Sequence, residues 1–208
     1  DPTSGKIVSG QRDITALNGS KLREWRASCA MIFQQFNLVN RLDVITNVML
    51  GRVATRSTFA NISGLFTDEE RRTAFELLSE LDMAKHALNR ADGISGGQAQ
   101  RVAIARALMQ NPSIILADEP VASLDPRNAK VVMESLRSIN RLRGITVICN
   151  LHNLSMAKNY CDRVVAMVEG RVIFDCLPGE LDANRVRAVY GSEIDDLDSS
   201  MADIASGS

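Results

Sequence analysis

The chain has 208 residues, which fits one domain, or one domain carrying an inserted subdomain. Hydrophobic residues make up 45% of it, enough to bury a core and to exclude disorder for the bulk of the chain, and a net charge of −1 argues against a general nucleic-acid binder. No apolar run reaches the roughly 18–20 residues needed to span a bilayer, and nothing at the start reads as a signal peptide. The cysteines Cys29, Cys149, Cys161 and Cys176 form no CxxC pair, and His86 and His152 lie far apart in sequence, so neither a zinc site nor a disulfide framework is expected and a reducing cytosol is the natural setting.

In chain order, the turn-like opening Asp1-Pro2-Thr3-Ser4-Gly5 is expected to follow a preceding segment. Residues 6–14 predict a short strand and turn, residues 20–27 a brief helix, and Ala30-Met31-Ile32-Phe33 an apolar strand. Val44, Val48 and Met49 open a helical stripe. Phe75, Leu77, Leu78 and Leu81 form another, on a helix starting near Thr67, whose spacing to Glu70 fits a capping box. Residues 51–66 between them read as a loop. Residues 99–110 predict a helix with Val102, Ile104, Ala105 and Leu108 inward, stopped by Asn111-Pro112. Ile114-Ile115-Leu116-Ala117 and Ile145–Cys149 read as strands buried on both faces, flanking an amphipathic helix over 127–142 that Gly144 closes. Residues 153–160 read as helical, Val164–Val168 and Arg171–Phe174 as a hairpin around Glu169-Gly170, and the chain after Gly191 as an acidic, serine-rich tail. Strands alternating with helices imply a parallel sheet.

Five features carry chemistry. Asp118-Glu119 directly follows an apolar strand, so both acids sit at its carboxyl end, where ligands bind in open α/β sheets. One can hold Mg²⁺ and the other can orient a water; the plainer reading is a turn that caps the next helix. In Ile94-Ser95-Gly96-Gly97-Gln98, two glycines precede a helix whose free N–H groups can meet a phosphate; the plainer reading is a loop with Ser95 near the N-cap. His152 follows the next strand and can contact a phosphate, although a lone histidine is more often structural. Gln34 follows the first apolar strand, where a lone glutamine is usually solvated. In Ser123-Leu124-Asp125-Pro126, Asp125 reads most simply as a helix N-cap with Pro126 at the first helical position.

Order and spacing make these features specific together. Ile94 to Leu108 resembles the signature motif of ATP-binding-cassette ATPases, Ile114 to Pro120 their Walker B strand, Ser123-Leu124-Asp125 their D-loop, His152 their switch histidine and Gln34 their Q-loop glutamine. Met31 to Val44, Leu50-Gly51-Arg52, Ala117 to Pro126 and Asn150-Leu151-His152 resemble the ATPase subunits of bacterial phosphonate importers. Methionine and polar amino-acid importers share the Phe-Gln-x-Phe-Asn-Leu stretch and stay open as alternatives, as does a non-catalytic subunit that docks on a permease.

The resemblance implies a P-loop NTPase-type α/β fold over residues 1–190, with a parallel sheet and an inserted helical subdomain at about 44–94. It implies ATP and Mg²⁺ as cofactors. Asp118 and Gln34 would hold Mg²⁺, and Glu119, His152 and Gln34 would be catalytic. Ser95, Gly96, Gly97, Gln98 and Asp125 would act on ATP held by a second ATPase subunit. The other implied partners are membrane permease subunits and, indirectly, a periplasmic phosphonate-binding protein; nucleic acid is not one. The implied location is the cytoplasmic face of the bacterial inner membrane.

The 208 residues contain no Gly-x-x-x-x-Gly-Lys-Ser/Thr loop, and Ser4-Gly5-Lys6 is no remnant of it. Without that nest of N–H groups and its lysine, the chain is expected to be N-terminally truncated, inactive alone, and poorly soluble through its incomplete sheet.

Overall fold

The computed structural model describes residues 2–53 and 66–190. The expected loop at 51–66 therefore lies mostly outside the described residues, and so does the expected tail.

A tiny antiparallel hairpin, β1 (Val8–Ser9) and β2 (Arg12–Asp13), precedes helix α1 (Gly19–Ala27) and strand β3 (Cys29–Ile32). Helix α2 (Val44–Met49) runs into a 3₁₀ turn (Leu50–Arg52), and α3 (Asp68–Glu80) follows. Helix α4 (Gly96–Met109) leads to β4 (Ile114–Asp118), α5 (Pro126–Arg143), β5 (Thr146–Asn150) and α6 (Leu154–Tyr160). An antiparallel pair, β6 (Val164–Val168) and β7 (Arg171–Cys176), and helix α7 (Ala183–Tyr190) come last.

Among the described residues the parallel sheet has the order β3-β4-β5, with Met31 opposite Leu116 and Leu116 opposite Ile148. One face of it, carrying Ala30, Ile32, Ile115 and Ala117, is buried. Helix α4 packs against β3, and α5 against β5. A single apolar cluster continues from this face through Val102, Ile104 and Leu108 of α4 to Val44, Val48 and Met49 of α2 and Leu77 and Leu78 of α3. Burying side chains of this size contributes about 1.5–3 kcal/mol each.

The helix ends follow their local chemistry. Thr67 and Glu70 close the expected capping box on α3. Asp125 caps α5, Pro126 occupies its first position, and Gly144 ends it at φ 66°, a conformation glycine adopts without strain. Helix α4 starts three residues earlier than the pattern predicted, because Ser95 is its N-cap.

Two expectations are corrected. Phe75 is 48% exposed; Ala74 takes the inward place between Leu77 and Leu78. Strand β5 is not buried on both faces: Ile148 is 57% exposed, as is much of Met31 in the same cross-strand row. Helices cover one side of these strands, so apolar composition alone misjudged the other. No described helix is long and apolar enough to cross a membrane.

Candidate functional site: the carboxyl ends of three parallel strands

In a parallel sheet every strand ends at the same edge, so side chains distant in sequence gather there. Ala117 pairs with Ile32 and Cys149, and Asp118 pairs with Asn150. That register places Gln34, Asp118-Glu119 and Asn150-Leu151-His152 past three adjacent strand ends. Gln34 lies exposed in the bend beyond β3. Asn150 Nδ2 donates to Asp118 Oδ1 at 3.2 Å. His152 Nε2 donates to Glu119 Oε1 at 2.5 Å, across 33 residues of sequence. Glu119 stands at φ 45°, which a side chain adopts only where its surroundings impose it. The turn that follows, Ala122 N–H to Glu119 C=O, bends the chain directly after the strand and aims the carboxylate at His152. Tyr190 of α7 donates its hydroxyl to the His152 carbonyl at 3.1 Å, which braces the histidine loop from outside.

Beside this pair lies a cleft of about 630 Å³, walled by Glu119, Leu124, Lys130, Leu151, His152 and Tyr160. It has an apolar floor and a charged rim, with one acid and one imidazole already in contact. Such a site can position a water and receive a proton.

The second group surrounds the start of α4. The Ser95 N–H donates to Gln98 Oε1 at 2.8 Å and the Gln98 N–H donates back to Ser95 Oγ at 3.4 Å, a reciprocal cap. Gly96 and Gly97 occupy the first turn at the positive end of the helix dipole, Gly96 exposed and Gly97 buried. A Cβ on Gly96 would stand 3.6 Å from the Phe36 ring and 3.7 Å from Leu124. A Cβ on Gly97 would stand 2.5 Å from Asn128. Asp125 spends both oxygens on its own helix. Oδ1 accepts the N–H groups of Arg127 and Asn128 at 3.1 and 3.0 Å, and Oδ2 accepts Asn128 Nδ2. These donors hold its carboxyl below the usual carboxylate range, the Asn128 side chain most of all.

The strand ends thus gather Gln34, Asp118, Glu119 and His152, while Ser95, Gly96, Gly97, Gln98 and Asp125 form a separate group joined to them through Leu124. Sequence reasoning missed Asn150, Asn128, Phe36 and Arg106. Arg106 of α4 donates to the carbonyls of Phe36 and Asn37 at 2.8 and 2.5 Å, clamping the backbone just after Gln34. Burial lowers its pKa. Phe36, Arg106 and Asn150 carried a signal, since all three fall inside the quoted motifs; Asn128 depends on packing.

Comparison with known proteins identifies the family and the fold. A family model described as ABC transporter matches residues 1–122. The chain is 52% identical over 197 residues to the Phosphonates import ATP-binding protein PhnC 2 of Rhodopseudomonas palustris (strain BisA53), covering 95% of this chain and 73% of that one. It is 56% identical over 195 residues to the Phosphonates import ATP-binding protein PhnC of Rhizobium johnstonii, covering 94% and 70%. Among solved structures, a dimeric ATP-binding cassette in a post-hydrolysis state, bound to ADP and Pi, superposes with a TM-score of 0.71 at 32% identity, covering 85% of this chain and 75% of that one. With the family model matching more than half of the chain and these relatives more than half identical along nearly all of it, the chain belongs to the ABC transporter family, as an ATP-binding cassette with a P-loop NTPase-type fold.

Proposed function

We propose that this chain is the ATP-hydrolysing motor subunit of a bacterial importer of phosphonates. The observation that carries the reading is the Glu119–His152 contact at the ends of β4 and β5. Identity above 50% to proteins named for phosphonate import supports the substrate class.

In this reading Glu119 orients the attacking water and accepts its proton, while His152, freed from Glu119, turns to the γ-phosphate. Asp118 and Gln34 would hold Mg²⁺, which would supply positive charge against that developing on the transferred phosphoryl group. Ser95, Gly96, Gly97 and Gln98 form the turn that meets ATP bound by a second ATPase subunit, with Ser95 and Gln98 closing the cap and Gly96 and Gly97 offering their amides; a dimeric relative bound to ADP and Pi supports the pairing of two cassettes. Asp125 shapes the turn that meets that subunit. The helical block at about 44–94 is a subdomain that follows Gln34 through the Arg106 clamp. Permease subunits dock beside residues 34–50 at the cytoplasmic face of the inner membrane, and a phosphonate-binding protein delivers substrate on the far side.

The test uses the transporter assembled in its native membrane. Phosphonate with its binding protein is expected to raise Mg²⁺-dependent ATP hydrolysis, and methionine is not. Equal stimulation by methionine, or stimulated turnover that is unchanged in Glu119→Gln, overturns the reading.

A further inference from the structure

We propose that His86 is a positioning residue for the loop Ser95-Gly96-Gly97, acting through Gln98. The inference rests on the reading of that loop as the phosphate-contacting one. Helix α4 begins with a reciprocal cap whose second half depends on the rotation of one amide: Gln98 must aim Oε1 at the Ser95 N–H, 2.8 Å away. A glutamine amide can turn over at little cost unless both of its ends are engaged. Here the other end is engaged. Gln98 Nε2 stands 3.0 Å from Nε2 of His86, which sits in the 3₁₀ turn Ala84–His86 that packs against α3. Because Gln98 Nε2 is a donor, His86 Nε2 must be the acceptor, and the ring proton belongs on Nδ1. Asn89 Nδ2 lies 3.1 Å from Nδ1, so the Asn89 amide must turn over to present its oxygen to that proton.

The chain of contacts therefore runs Asn89, His86, Gln98, Ser95. Without the His86 acceptor the Gln98 amide is free to turn over or swing away, and either movement takes Oε1 off the Ser95 amide. The cleft of about 440 Å³ that exposes His86 to solvent is lined by Asp82 and Lys85 from its own segment and by Arg101 from α4. Arg101 is tied to the Leu81 carbonyl at 2.9 Å. Among the described residues, these two cations and one acid are the charged groups that line that cleft beside His86. Gly96 and Gly97 follow the Ser95 amide directly, so the direction of their N–H groups depends on whether this cap is closed.

The test is amide hydrogen exchange at Ser95 in the full chain, with the amides of Ala103 to Ala105 in the same helix as an internal reference. At about pH 7.5, His86→Ala is expected to speed Ser95 exchange about five- to tenfold, the effect of one lost hydrogen bond, with the reference amides unchanged. His86→Gln restores an acceptor near the Nε2 position and is expected to return exchange to the parent rate. Equal Ser95 exchange in all three chains, or exchange in His86→Gln as fast as in His86→Ala, overturns the proposal. No nucleotide enters this measurement, so its failure is separate from any failure of the ATP-binding reading.

Discussion

At the scale of single residues, Gly97 shows two demands meeting on one position. Its place in the loop suggests close approach of a ligand, yet the structure also shows a neighbour from the same chain. A Cβ there would fall 2.5 Å from Asn128, whose side chain is held on Asp125. Gly97→Ala is therefore expected to push Asn128 off Asp125 and to destabilise the fold by about 1–3 kcal/mol, read as a lower denaturant midpoint at unchanged slope. Ser95 and Asp125 were legible as caps because capping is local chemistry within three or four residues. His86 was not legible, since its bond to Gln98 spans 12 residues of sequence and exists only once the 3₁₀ turn packs beside α4. The positive φ of Glu119 was equally hidden, because the strand that ends there reveals nothing about the turn that follows.

At the scale of elements, the boundaries that carried their own signals were readable. Thr67 with Glu70 and Asp125-Pro126 with Gly144 each satisfy the end groups of a helix from within the adjoining residues. The short stretch between Gln34 and α2 had no such signal, and one buried side chain organises it. Asn47 is 0% exposed. Its Oδ1 accepts the Val39 N–H at 2.7 Å, and its Nδ2 donates to the Val39 and Asp43 carbonyls at 3.1 and 3.0 Å. Asn47→Ala leaves these backbone groups without their partner and is expected to lower stability by about 2–4 kcal/mol, measured by denaturant unfolding. The loop after Gln34 should lose amide protection first, before the sheet does. Ile148 was misjudged because periodicity says which residues share a face but not whether anything covers it, and Phe75 because it stands off the stripe that Ala74, Leu77 and Leu78 form.

At the scale of the whole molecule, one apolar cluster joins the sheet to α2, α3 and α4, so a change at the strand ends can reach the helical block through packed side chains and the Arg106 clamp. The same burial acts on the thiols. It pushes all four cysteines up, Cys149 to about 12 from 9.0. A folded thiol that keeps its proton longer than the unfolded one contributes stability below pH 9.0 that is lost as pH rises toward about 12. The melting temperature is therefore expected to fall between about pH 8.5 and about pH 10.5, and to fall less in Cys149→Ala. The family and fold were legible because the motif residues sit at fixed distances from strand and helix ends. The pairing of Asp118 with Asn150 and the bracing of His152 by Tyr190 needed the folded chain. The claim on which the functional account turns is that Glu119 orients the attacking water. Its most direct measurement is phosphonate-stimulated ATP hydrolysis by the native membrane-assembled transporter carrying Glu119→Gln. The account predicts a loss of about 100-fold or more with nucleotide binding retained; hydrolysis within about threefold of the parent would contradict it.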